Sequence, residues 1–148
     1  MTYDDIDAHY ALAGSIERAA TPLGMYLAWC VNLALVSDEL RTAAGRELLR
    51  VQIREITGAE LLIKVCHGRL EARHLNAAGQ DFTARSYREY LAAYATTFGV
   101  AVDAIYTVED TWDHYDRIAP WLTRWHLGEP PTQKRHWWER LFGATKGL

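Results

Sequence analysis

The sequence has little of several features that would narrow its class at once. Only two of its 148 residues are cysteine, and Cys30 and Cys66 show neither CxxC spacing nor the cysteine–histidine pairing of zinc sites. Each lies in an apolar stretch, which favours buried free thiols in a reducing compartment. A chain of this length buries enough surface to fold as one domain without a disulfide or a metal.

An excess of positive charge is also missing. The chain has 16 Lys and Arg against 19 Asp and Glu, for a formal net charge of −3. A dedicated nucleic-acid binder usually has a basic excess, so we expect no nucleic-acid partner. The near-neutral total hides two acidic blocks, residues 1–39 with a net charge of −5 and residues 102–129 with −4.

Long hydrophobic runs and targeting signals are lacking as well. The longest apolar stretch, from Leu23 to Val36, is interrupted by Gly24 and Asn32. It is shorter than the roughly 20 residues that a membrane-spanning helix needs. The first residues are acidic and lack the basic and apolar regions of a secretory signal. We therefore expect a cytoplasmic protein that does not insert stably into a membrane.

Sequence motifs of common enzymes and cofactor sites are not found either. The chain has no HExxH pair, no Gly-rich phosphate loop and no glycine-flanked nucleophile serine. We therefore expect no cofactor and a non-enzymatic protein, although catalytic residues defined only by geometry leave no such motif.

Helical periodicity is present along most of the chain. The predicted helices start at Thr21-Pro22 and at Ser37 and cover residues 46–56, 59–66, 84–98 and 109–126, the last with a break near Ala119 before Pro120. Residues 69–81 read as a linker, and residues 100–108 have a strand-like composition that fits a short strand or a loop. These patterns predict a mostly α, single-domain helical bundle of about six to seven helices, with at most one short strand-like segment near residues 100–108.

Two local signals support this prediction. Thr57 and Glu60 have the spacing of a capping box. The tyrosines at 87, 90 and 94, with Phe98, recur at helical spacing and predict a buried aromatic stripe. The helical domain is predicted to span residues 1–128, and residues 129–148 form a proline-bounded, basic and aromatic C-terminal tail.

A cluster of polar residues in the second acidic block is the strongest candidate for a functional surface. Its members are Glu109, Asp110, Asp113, His114 and Asp116. The cluster fits a solvated helix start, where acidic residues suit the helix dipole. It also fits an anion-rich patch that steers a basic partner, such as the active site of a nuclease toxin.

Two further sets of residues leave alternatives open. His9, Asp110 and His114 combine residue types that bind metals or transfer protons, which would suit a small metal- or ligand-dependent enzyme. Trp137 and Trp138 in the basic tail fit packing against the core, contact with a membrane surface, or docking of a helical scaffolding module onto a partner.

Several segments resemble a family of small uncharacterised bacterial proteins. They include the Gly-Met-x-Leu-Ala-Trp helix at residues 24–29, residues 54–62, residues 75–79 and the Val-Glu-Asp-Thr-Trp motif at residues 108–112, with His9-Tyr10 near the N-terminus. The resemblance covers roughly residues 3–125. It implies a cytoplasmic accessory protein, and several such small families act as immunity proteins against secreted toxins.

Together these observations favour a bacterial immunity protein that neutralises a cognate protein toxin by occluding it. The candidate partner-binding residues are Glu109, Asp110, Asp113, His114, Asp116, Trp137 and Trp138. The sequence does not determine the oligomeric state or the identity of the toxin.

Overall fold

The computed structural model describes residues 1–129, and this part of the chain is mostly α-helical. Its elements are β1 (Thr2–Asp5), α1 (Tyr10–Ala13), α2 (Ile16–Asn32), α3 (Asp38–Gln52), α4 (Gly58–Cys66), β2 (Arg69–Glu71), α5 (Ala77–Phe98) and α6 (Trp112–His126). Three 3-10 segments connect them, at Ile6–Ala8, Ala72–His74 and Val102–Thr107. The prediction of a mostly α single domain is confirmed.

Helix α2 is the centre of the core. Every residue from Ala19 to Val31 is buried, and Trp29 has no exposed surface. The predicted aromatic stripe on α5 packs against it, since Tyr90 donates a hydrogen bond of 2.6 Å to the Pro22 carbonyl. A helix that is apolar on most faces must be enclosed by its neighbours, which explains the position of α2.

Helices α2 and α4 cross at backbone contact. A Cβ atom added to Gly58 would lie 1.8 Å from the Gly24 carbonyl oxygen, so neither position has room for a side chain. The predicted capping box starts α4 here, because the Thr57 hydroxyl accepts from the Glu60 amide and Glu60 bonds back to the Thr57 amide. This crossing fixes where α4 lies relative to the first turns of α2.

Three predicted helix starts are wrong. Helix α2 begins after Ser15, whose side chain caps the Arg18 amide, and Pro22 lies within the helix. Helix α5 begins after Asn76, while Thr83 is buried and shares a 2.7 Å hydrogen bond with the Tyr26 hydroxyl. Helix α6 begins after Thr111. For α2 and α5, the predicted caps Thr21 and Thr83 have the same capping chemistry as the observed caps, and periodicity alone does not rank them.

The boundaries within α3 and α6 also differ from the prediction. Helix α3 spans Asp38–Gln52, but non-helical backbone at Ala44 divides it into two segments, the second beginning close to the predicted start at Arg46 and ending before the predicted end at residue 56. Helix α6 continues through Pro120 because Ile118 and Leu122, on either side of it, are fully buried in the core. Burial of these two side chains outweighs the loss of the backbone hydrogen bond that Pro120 cannot donate.

Residues 100–108 were predicted to form a short strand or a loop, and the strand alternative is wrong. Val102–Thr107 forms a 3-10 helix that buries Ile105 and Tyr106. β-Branched residues form a strand only where a partner strand accepts and donates hydrogen bonds. The two strands of the described chain instead pair with each other: β1 lies antiparallel to β2, with Asp4 opposite Leu70. Strand β2 lies inside residues 69–81, the segment predicted as a linker.

Two other observations complete the description of residues 1–129. Cys30 and Cys66 are free and buried, as predicted. No helix in this range combines the length and the apolar character needed to cross a bilayer.

Candidate functional site

A surface cleft opens beside the α2–α4 crossing. It has a volume of about 340 Å³ and is lined by the first turns of α2 and α4 and by the chain that follows Ile105. Its lining residues are Glu17, Arg18, Thr21, Ala59, Glu60, Ile63, Tyr106, Thr107, Val108, Glu109 and Asp110. Three separate parts of the chain therefore contribute to one concave surface.

The cleft is acidic. Glu17 comes from α2, Glu60 from α4, and Glu109 and Asp110 from the loop before α6, while Arg18 is the one base in the lining. Glu17, Glu60 and Glu109 are exposed to solvent and Asp110 is half-buried. The acidic residues of the loop form a run in the sequence, whereas Glu17 and Glu60 could not be predicted to join them, because their proximity depends on the helix crossing.

Asp110 is the most enclosed of these carboxylates. Its Oδ2 accepts a hydrogen bond of 2.6 Å from the Thr57 hydroxyl. Burial raises the pKa of the Asp110 carboxyl, the hydrogen bond from Thr57 opposes this, and the negative charge of Glu60 raises it further. Among residues 1–129, Asp110 forms no ion pair, so its charge is available to a bound cation.

Asp116 lies in a contrasting environment. Arg54 donates two hydrogen bonds to its carboxylate, of 2.9 and 2.6 Å, and the guanidinium lies 4.8 Å from the centre of the Trp112 ring. The hydrogen bond from Arg54 lowers the pKa of Asp116 below its usual value. Asp116 is therefore paired within the fold and contributes less to a patch that attracts a basic partner.

The predicted cluster also contains Asp113 and His114. Asp113 is exposed in the first turn of α6. His114 donates from Nδ1 to the Glu109 carbonyl at 2.7 Å, and its ring packs against Phe98. His114 thus holds the loop that carries Glu109 against the helix start.

His9 belongs to a different set of contacts from the one predicted. Its Nε2 lies 2.8 Å from the carboxylate of Asp4, and its Nδ1 is hydrogen bonded to the hydroxyl of Tyr106. Its hydrogen bonds therefore do not join it to Asp110 or His114. Among the described residues, no three His, Cys, Asp or Glu side chains are arranged to hold a metal ion.

Tyr106 connects the His9 contacts to the cleft, because it bonds to His9 and also lines the cleft wall. No sequence motif indicates a functional role for Tyr106, which lies in the segment predicted as a short strand or a loop. Trp137 and Trp138, like the rest of the predicted tail beyond Glu129, lie outside the described residues.

The comparisons with known proteins place the chain in a family. Residues 2–108 match the model of a domain of unknown function, DUF7832, so the chain belongs to that family. The match ends directly before Glu109, the first of the predicted acidic residues. No curated protein and no solved structure matched the chain.

Proposed function

We propose that this protein is a non-enzymatic binding protein that receives a basic segment of a protein partner in the acidic cleft. The observation that carries the proposal is the convergence of Glu17, Glu60, Glu109 and Asp110 on one concave surface. Complementary charge accelerates encounter between two proteins and disfavours partners of the wrong sign. Asp113, three residues after Asp110, adds one more exposed carboxylate to this part of the chain.

We further propose that the partner is a cognate bacterial toxin and that the protein acts as its immunity protein in the cytoplasm. Three observations support this: the chain belongs to a family of unknown function, it has an acidic cleft, and its sequence contains none of the common enzyme motifs. Toxins that act on nucleic acids have basic active sites, and a carboxylate-lined surface is complementary to them.

The test is co-expression with the product of the neighbouring gene, which the proposal expects to be a toxin-domain protein. The wild-type chain should restore growth, and a Glu60→Gln/Glu109→Gln variant should bind the toxin at least about tenfold more weakly, since two charges that face the partner are removed. Gln at position 60 keeps the capping box, so the fold is preserved. The matched control is Glu89→Gln, which removes an exposed carboxylate from α5, outside the cleft lining.

Two outcomes would contradict the proposal. One is growth arrest that the wild-type chain does not relieve. The other is equal binding by the double variant and by Glu89→Gln, which would show that the cleft carboxylates do not contact the partner. Measuring the association rate at low and high salt separates steering from contact, because steering is screened by salt.

A second candidate function is a small metal- or ligand-dependent enzyme. The observation in its favour is the fixed imidazole of His9 between Asp4 and Tyr106, of which Tyr106 reaches the cleft. Of the originally proposed trio, Asp110 lines the cleft, whereas His9 and His114 are not among its lining residues. A transition metal in stoichiometric amount in the purified protein would support this candidate.

A further inference from the structure

We draw no further inference here: the strongest candidate, the exposed apolar surface around α1 with Tyr10, Leu12, Ile16 and Val102, carries none because nothing in residues 1–129 shows what covers it.

Discussion

Helices α2 and α4 meet in two different ways along their length. At Gly24 and Gly58 their backbones touch, and an added Cβ on Gly24 would lie 2.2 Å from the Ala59 backbone nitrogen. About one turn away, Thr21 of α2 and Ile63 of α4 form part of the wall of the cleft. One pair of helices therefore builds both this backbone contact and part of the cleft.

The difference shows how packing and binding are divided between neighbouring residues. At the crossing, only glycine fits on the two facing positions, so these positions specify the fold. In the cleft, Glu17 and Glu60 are exposed and lie outside the core, although the Glu60 side chain also completes the capping box of α4. An exposed cleft residue such as Glu17 can change with the partner without a large loss of stability.

The largest expected effect comes from breaking the crossing. Gly24→Ala should lower the free energy of unfolding by about 3 kcal/mol or more, because the methyl group would overlap backbone atoms of Ala59 and the helices would have to separate. Chemical denaturation monitored by circular dichroism measures this change.

Gly45→Ala is the matched control for that prediction. A Cβ at Gly45, in α3, would have no atom within 4 Å, so the change should leave stability unchanged or raise it by about 0.5–1 kcal/mol through helix propensity. Similar losses in the two variants would mean that the close approach of α2 and α4 is not what makes Gly24 necessary.

A smaller effect is expected at Thr57, which joins the crossing to the cleft. Its hydroxyl caps α4 through the Glu60 amide at 3.2 Å and also holds Asp110 at 2.6 Å. Thr57→Val should cost about 1–2 kcal/mol of stability, because it removes the cap and leaves the half-buried carboxylate without its donor. It should also weaken partner binding, since Asp110 loses its fixed position.

Thr57→Ser separates these roles from the methyl group of threonine. Serine keeps the hydroxyl and is a strong N-cap residue, so stability and binding should remain within about 0.5 kcal/mol of the wild type. If the serine variant behaves like the valine variant, the hydroxyl is not responsible for either effect.

The helical class, the aromatic stripe of α5 and the capping box of α4 could be predicted from the sequence. Each depends on residues close together in the chain, such as Thr57 and Glu60, whose spacing has a direct physical meaning. The strands could not be predicted, because β1 and β2 are far apart in sequence and neither has a strong pattern alone. The predicted starts of α2 and α5 were wrong because Thr21 and Thr83 have the same capping chemistry as the observed caps.

The candidate site could be predicted only in part for the same reason. The sequence identified Asp110 as a member of an acidic run, but the run is divided by contacts that involve distant residues. Thr57 holds Asp110 beside Glu60, and Arg54 holds Asp116 outside the cleft. Tyr106 in the wall of the cleft is hydrogen bonded to His9, which lies 97 positions away in the sequence, and no local signal indicates such a pairing.

The smallest predicted effects have opposite signs at these two aspartates. Asp116→Asn should lower stability at pH 7 by less than about 1 kcal/mol, because it weakens an exposed ion pair with Arg54. Asp110→Asn should raise stability by a similar amount, because it removes a desolvated charge close to Glu60 while the amide oxygen still accepts from Thr57. Urea denaturation of both variants beside the wild type measures the difference.

The pH dependence of stability follows from the direction in which the fold shifts the pKa of each aspartate. The folded pKa of Asp116 lies below its ordinary value of 3.8, so its stabilising contribution is present above that pH and is lost as the pH falls through the folded pKa. The folded pKa of Asp110 lies above 3.8, so stability falls as the pH rises through the interval between the two values, and the cost is complete above it. As the pH falls, Asp110→Asn should therefore approach the wild type below the ordinary value of 3.8, and Asp116→Asn should do so only below its lowered folded pKa. If the two variants changed the free energy of unfolding at pH 7 in the same direction, the contrast between the paired and the unpaired carboxylate would be contradicted.

An Asp110 variant that is more stable and binds the partner less well would show that the cleft keeps this charge for binding, at a cost to the stability of the fold.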